Sequence, residues 1–374
     1  MTLLLLSITL IYLILIGSLI YGFDKVSDFK LENISHKTAF TIIIPFRNES
    51  EHLPKLIDSL LNLDYTKTFI ELIFIDDESS DNSVEIINKM MNATKLDYKL
   101  LKNIHNSSSP KKDAITLGIK NAKHSWIVTT DADCEVPKFW LDSFDCMIQK
   151  KSPKLIIAPV TLNYKNSFFN RFQLLDILSL QGSTIGGFGI HKPFLCNGAN
   201  LAYQKSFFED LKGFKGNENI ASGDDIFILE KALKHSPKSI KYIKTPHAIV
   251  TTTVQANFRS LKAQRVRWAS KTTKYNNWFG KLSGFIVLLM NATLICALTL
   301  ALINIISFTF FTYICIIKFS LDFLLLFKTA RFFKQEQVLF SYILSSLIYP
   351  FFSVYIAFIA VFSGYKWKGR SYIK

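Results

Sequence analysis

Residues 39–49 read AFTIIIPFRNE, and this stretch decides the fold. A short β-branched run stopped by a proline predicts a buried strand. Asn48 and Glu49 then open a helical pattern carried by Leu53, Leu56, Ile57, Leu60 and Leu61. The unit recurs. Residues 70–75 (IELIFI) predict a second strand, which runs into Asp76-Asp77-Glu78-Ser79-Ser80-Asp81, and a helix follows with Val84, Ile86 and Ile87 on its apolar side. After a loop at 105–110 come a helical stretch at 112–122 and a third strand at 126–130, ending in Asp131-Ala132-Asp133. Strands alternating with helices predict an α/β fold with a mostly parallel sheet and ligands at the carboxyl ends of its strands. The acidic clusters sit at those ends.

On either side of this region the chain turns apolar. Of 374 residues 49% are hydrophobic and 20% charged, which requires the apolar residues to be concentrated in segments. Residues 1–21 carry no charge, and about 20 such residues span a bilayer core. The basic start and small-residue cleavage site of a secretory leader are absent from this run, so it reads as an uncleaved anchor. Residues 282–305, 306–327 (with Lys318 inside) and 338–362 (with Pro350 inside) are further apolar runs. The formal charge of +15 gathers at their edges: Lys262, Arg265, Arg267, Lys271 and Lys274, then Lys328, Arg331 and Lys334, then Lys366, Lys368 and Arg370. Positive flanks mark the cytoplasmic side of a membrane protein and attract anionic headgroups, so membrane lipids and not nucleic acid are the expected partners. Three crossing C-terminal runs would leave the basic tail outside; Pro350 splitting the last into a re-entrant hairpin, or one run lying in the interface, are the alternatives. The five cysteines form no C-x-x-C pair and read as reduced thiols.

Four clusters have residue types suited to chemistry. Asp131 and Asp133 are oxygen donors one residue apart, fit for Mg2+ or Mn2+, which take carboxylates and substrate phosphates. Asp76 and Asp77 suit hydrogen bonds from a base or ribose, while the same turn also suits capping of the next helix by Ser80 or Asp81. Asp224 and Asp225 precede a helical run and suit either capping or a general base. Gln264-Arg265-Val266-Arg267-Trp268 lies on a basic amphipathic stretch: an arginine fork suits a diphosphate and an indole a sugar ring, or both belong to an interfacial helix.

In order and spacing these elements resemble the family-2 inverting glycosyltransferases, especially the membrane-bound branch with cellulose, hyaluronan and poly-N-acetylglucosamine synthases. The resemblance runs from about residue 41 to 268, with the flanking membrane segments. TIIIPFRNE (41–49) is similar to that family's opening strand and turn, and FIDDES (74–79) to its nucleoside-binding turn. Lys111 resembles the lysine of K-x-x-A-L near the donor diphosphate, and TTDADC (129–134) the metal-binding D-x-D. CNGANLAY (196–203) is similar to the acceptor-side loop, GDD (223–225) to the acidic pair that contains the base, and QRVRW (264–268) to Q-x-x-R-W.

The resemblance implies a Rossmann-like nucleotide-diphospho-sugar transferase domain of GT-A type, α/β, joined to α-helical transmembrane segments. It implies a nucleotide-sugar donor, UDP-linked first, touching Pro45, Asn48, Glu49, Asp76, Asp77, Lys111 and Asp131. It implies Mg2+ or Mn2+ on Asp131 and Asp133, and Arg267 at the leaving diphosphate. A lipid-linked or glycan acceptor would meet Asn197, Gly198, Asn200, Gln264 and Trp268. The base would be Asp225, with Asp224 the alternative, because the usual glutamate before it is aspartate here. The expected organisation is an anchor at 1–22, a cytoplasmic catalytic domain at 38–256, an amphipathic segment at 257–280, a membrane region of two to four segments at 281–363 and a basic tail at 364–374, in the inner cell membrane. The C-terminal part is short for a chain-extruding polymer synthase, so a processive synthase is the alternative. A non-catalytic membrane scaffold is the alternative from another class.

Overall fold

The computed structural model describes residues 1–368 and 370–372; Gly369, Ile373 and Lys374, part of the expected tail, lie outside the described residues. Helix α1 (Thr2–Lys25) is followed by β1 (Phe40–Phe46), α2 (Leu53–Leu61), β2 (Ile70–Asp76), α3 (Ser83–Asn92), β3 (Asp97–Lys102), α4 (Pro110–Asn121) and β4 (Trp126–Thr129). Next come β5 (Cys134–Glu135), α5 (Trp140–Lys151), β6 (Leu155–Ile157), β7 (Val160–Asn163), α6 (Phe168–Gly189), β8 (Leu201–Gln204), α7 (Lys205–Asp210) and α8 (Asp224–His235). The chain continues through β9 (Ile240–Tyr242), β10 (Val250–Thr253), α9 (Phe258–Ser270), α10 (Trp278–Leu302), α11 (Phe308–Phe333), α12 (Tyr342–Phe362), β11 (Tyr365–Trp367) and β12 (Arg370–Tyr372).

Residues 27–163 and 196–253 form one compact unit around a seven-stranded sheet in the order β3-β2-β1-β4-β8-β6-β9. Strand β1 takes the parallel centre, pairing Phe40 with Ile70 of β2 and with Trp126 of β4. The reason is burial. Phe40, Ile42, Ile43 and Ile44 are all fully buried, and each such side chain contributes roughly 1.5–3 kcal/mol. The expected α/β pattern is therefore present, with one reversal the pattern did not show: β8 runs antiparallel to both β4 and β6. A small second sheet, β5-β10-β7, lies in the same unit.

Strand β3 was not expected from sequence, because DYKLLK has no buried face and its four inner residues are only half-buried. It takes the edge and is tied there by charge. Lys99 Nζ donates to Glu71 Oε1 at 2.7 Å, and Thr41 Oγ1 donates to Glu71 Oε2 at 2.5 Å. Burial alone would raise the Glu71 carboxyl, but bonds from Lys99, Thr41 and the Lys123 amide hold it below the usual glutamate range.

Residues 1–26, 164–195 and 254–374 make up the other unit, which is helical. Four of its segments are long and apolar enough to cross a membrane: Thr2–Lys25, Trp278–Leu302, Phe308–Phe333 and Glu336–Phe362. The last passes through Pro350 as one uninterrupted helix, so the proline does not break it as the sequence suggested. Helix α6 departs further from expectation: it interrupts the predicted 38–256 stretch and packs against α1 and α11. Its sequence hides it, because Phe172 through Leu178 are all buried and no polar stripe marks a face. Contact with α1 is backbone on backbone. A Cβ at Gly22 would stand 2.1 Å from the Gly186 carbonyl oxygen, and one at Gly189 would stand 1.8 Å from that of Gly22. Small residues allow that approach, which substitutes for a hydrophobic drive between helices in lipid.

Charges inside an apolar span are costly unless paired. Lys318 and Asp322, one turn apart on α11, pair at 2.5 Å, and the Tyr12 hydroxyl of α1 donates to the same carboxylate. Strand β11 lies against α9.

Candidate active site

Within the sheet unit, the carboxyl ends of β1, β2 and β4 carry the acidic residues. The turns after β1 and β2 are zipped together by short polar side chains. Asn48, in the left-handed region at φ 53°, accepts from the Ser80 amide at 2.8 Å and its own amide donates to Ser79 Oγ at 3.0 Å. The Glu49 amide donates to Ser83 Oγ, and the Ser50 amide donates to Asp81 Oδ2 at 3.0 Å. Burial alone would raise the Asp81 carboxyl, but the bonds from Ser83 and Ser50 together outweigh it and bring it down to about 2. It accepts from the Ser83 amide at 3.1 Å and so steadies the first turn of α3, but the N-cap itself is Asn82, whose side chain makes no cap bond, and neither Ser80 nor Asp81 as expected.

Asp76 and Asp77 both sit at the end of β2, in different settings. Asp76 Oδ1 accepts from the Ser79 amide at 2.9 Å and shapes the turn. Asp77 is buried, with His105 Nε2 at 2.6 Å, Asn103 Nδ2 at 2.8 Å and Arg47 Nη1 at 3.9 Å. Sequence reading passed over Arg47, Asn103 and His105, which brace this carboxylate. Position directly after β1 was the one signal for Arg47; Asn103 and His105 follow β3, which the sequence did not show, so they carried none. Pro45 is the penultimate residue of β1, and Glu49 is buried beside His52 at 2.8 Å.

Asp131 and Asp133 occupy the turn between β4 and β5 and not an extended strand, so strand alternation does not align them. Instead, the turn is closed by the Cys134 amide donating to the Asp131 carbonyl at 3.2 Å. Lys111, in the first turn of α4, is the centre of the site. Its Nζ lies 2.7 Å from Asp131 Oδ1 and 3.2 Å from Asp224 Oδ2. Burial alone would lower this ammonium, but Asp131, Asp224 and Asp225 overrule it and raise it, so it stays charged.

Asp224 and Asp225 open α8, where the helix dipole favours carboxylates, after Gly223 at φ 85°. They meet the loop expected on the acceptor side. The Gly198 amide donates to Asp225 Oδ2 at 3.2 Å, the Ile226 amide donates to Asp225 Oδ1 at 2.7 Å, and Thr129 Oγ1 donates to the Gly198 carbonyl at 2.9 Å. A Cβ at position 198 would stand 2.7 Å from Asp224 Oδ2, which explains the glycine. Asn197 caps the same turn through the Ala199 amide. Asn200 belongs to the framework: it is fully buried, its Nδ2 donates to the carbonyls of Pro159 and Ala248, and its Oδ1 accepts from Trp140 Nε1. Such bonds leave no side-chain face for an acceptor, so the expected contact at Asn200 is corrected to a scaffold role.

Gln264, Arg267 and Trp268 belong to the helical unit, on α9, whose start is fixed by a capping box between Asn257 and Ser260. Arg265 dominates this helix. It is buried, its Nε donates to Asp176 Oδ2 at 2.6 Å, and its guanidinium stacks 4.4 Å from the Trp268 ring centroid. One face of the indole expected to hold a sugar is therefore covered by Arg265. Gln264 accepts from Arg265, and Tyr349 of α12 donates to Asp176 Oδ1 at 2.9 Å.

Residues 41–212 match the family described as Glycosyl transferase family 2. A poly-beta-1,6-N-acetyl-D-glucosamine synthase of Staphylococcus epidermidis is 26% identical over 270 residues, covering 68% of this chain and 61% of that protein. The corresponding synthase of Staphylococcus aureus (strain COL) is 25% identical over 274 residues, with the same coverage. The chain thus spans about three fifths of the length of these relatives. Among solved structures, a mannosyltransferase from Pyrobaculum calidifontis in complex with GDP-Man and Mn2+ shares the fold. It has a TM-score of 0.54 at 15% identity, covering 92% of this chain and 99% of that one.

Proposed function

We propose that the chain is an inverting glycosyltransferase, a reading supported by the match of residues 41–212 to Glycosyl transferase family 2. It moves a sugar from a nucleoside-diphosphate donor to a lipid-linked or glycan acceptor. The single observation that carries this reading is Lys111, whose ammonium contacts both Asp131 on the expected metal and donor side and Asp224 on the expected base side.

In this mechanism the acidic turn at Asp76 and Asp77, braced by Arg47, Asn103 and His105, receives the nucleoside. Lys111 offers positive charge to the diphosphate. The carboxylates of Asp131 and Asp133 fit a hard divalent cation. A Mg2+ or Mn2+ ion held there would take its remaining ligands from phosphate oxygens and water. When bound, such an ion neutralises charge on the leaving diphosphate. Asp225 takes the proton from the acceptor hydroxyl, whose oxygen attacks the anomeric carbon from the face opposite the diphosphate. The carbon–oxygen bond to the diphosphate breaks, its electron pair leaves with the phosphate, and the configuration inverts.

The relatives are named for making a polymer of N-acetylglucosamine, which supports UDP-N-acetylglucosamine as the first donor to test and favours a processive synthase as the second reading. The experiment is a donor screen: purified full-length protein in detergent, a panel of UDP- and GDP-sugars with Mn2+, and lipid extract or oligosaccharide acceptors. Release of nucleoside diphosphate together with a sugar-extended acceptor is the expected result. Product size separates single transfer from polymerisation.

The ion pair of Lys328 with Asp24 at 2.9 Å brings the end of α11 to the end of α1, and β11 lies against α9. Helix α12 starts beside the middle of α11, where the Tyr342 hydroxyl donates to the Phe319 carbonyl. We infer that the segment after α11 re-enters to that depth, that α12 runs back out on the same side without crossing, and that both basic clusters lie on the cytoplasmic side. Single cysteines at Lys271 and Lys368 should then react with an impermeant maleimide only after the membrane is opened from that side. Labelling from opposite sides would refute it.

A further inference from the structure

The residue next to Lys111 has an unusual environment for a lysine. Lys112 is 2% exposed, on the buried side of α4. Its Nζ donates to the carbonyls of Asn217 at 2.7 Å and Ile220 at 2.8 Å, and lies 4.7 Å from the Phe227 ring centroid and 5.8 Å from that of Phe214. Both carbonyls belong to the loop that delivers Asp224 and Asp225. That loop is made of turns, with Lys212, Gly213, Gly216 and Gly223 all at positive φ, and no strand pairing holds it. A second ammonium ties its beginning: Lys231 of α8 donates to the carbonyls of Gly213 at 2.6 Å and Lys215 at 2.8 Å.

A buried ammonium is a costly way to fill space, since an apolar side chain of similar volume does so without desolvation. What it does well is fix carbonyl oxygens at set positions. Adjacent helical residues point about 100° apart, so α4 presents Lys111 to the carboxylates and Lys112 to the loop behind them. We propose that Lys112 is a positioning residue that locks the loop at 217–220 and so sets the placement of Asp224 and Asp225 against the donor side of the site. The inference rests on the glycosyltransferase reading for its catalytic consequence; its structural half stands by itself.

The test compares full-length wild type with Lys112→Met and Lys112→Arg in detergent. Three readouts are taken: affinity for UDP and for GDP with Mn2+, turnover in the donor screen, and the rate of trypsin cleavage after Lys212 and Lys215. In Lys112→Met the nucleotide affinity stays within about threefold while kcat drops by roughly 10²-fold, the size of effect a 1 Å misplacement produces. Cleavage in the loop accelerates, because local opening is no longer opposed. Lys112→Arg, which keeps donors to carbonyls, recovers most of both. Unchanged kcat and unchanged cleavage in Lys112→Met overturn the proposal, as does equal loss of kcat in Lys112→Met and Lys112→Arg. If Lys112→Met does not fold, Lys112→Gln takes its place: the shorter neutral amide cannot bond both carbonyls. It should then lower kcat and speed loop cleavage at constant nucleotide affinity, and wild-type kcat with wild-type cleavage there overturns the proposal. Protease and nucleotide arms read the loop without any transfer, so a wild type that moves no sugar defeats the proposed function separately.

Discussion

Asp225→Asn abolishes sugar transfer by roughly 10²–10⁴-fold, the usual contribution of a positioned general base, while UDP or GDP affinity stays close to wild type. The substitution keeps the shape of the site. An asparagine oxygen still accepts from the Gly198 or Ile226 amide, which bond Asp225 at 3.2 and 2.7 Å, so the loop and the start of α8 persist. What is lost is the capacity to take a proton from the acceptor hydroxyl. The effect therefore falls on kcat and leaves donor binding alone. Steady-state kinetics with saturating donor, paired with calorimetry, separates the two. Should Asp225→Asn turn over like wild type while Asp224→Asn is dead, the base is Asp224 and the choice between them reverses.

Lys111→Met is expected to act differently, lowering kcat by about 10²–10³-fold and weakening nucleotide binding as well. Its ammonium sits between Asp131 and Asp224, at 2.7 and 3.2 Å, with Asp225 close enough to favour its charge. Removing it leaves several carboxylates facing one another without a cation, and like charges at this range oppose one another. A donor diphosphate then approaches a site of its own sign. The affinity loss distinguishes this variant from Asp225→Asn, and the two together separate donor capture from proton removal. Wild-type UDP and GDP affinity in Lys111→Met would contradict a diphosphate role for this lysine.

Much of the sheet unit was legible because its central strands are continuous apolar runs and its helices keep a 3.6-residue stripe, as at Leu53, Leu56, Ile57 and Leu60. The strand ends were legible for the same reason, and with them Asp76, Asp77 and Asp131; Lys111, in the first turn of α4, was singled out only by its resemblance to the lysine of K-x-x-A-L. Strand β3 and helix α6 were not. One is an edge held by the Lys99–Glu71 pair, and the other is buried all round, so neither shows the periodicity that patterning reads. Long-range partners were equally hidden. Nothing in sequence ties Arg265 to Asp176, or Lys112 to the carbonyls of Asn217 and Ile220, because those bonds exist only after the chain has folded back. The NGAN loop gave its position but not its division of labour: Gly198 touches the acidic pair while Asn200 is a scaffold residue.

The measurement that bears most directly on the centre of this account is the anomeric configuration of the product formed in the donor screen, read by NMR alongside nucleoside diphosphate release. An inverting transfer gives one diphosphate per sugar transferred and a configuration opposite to that of the donor. Retained configuration, or no release from any donor by the wild-type protein, would contradict it.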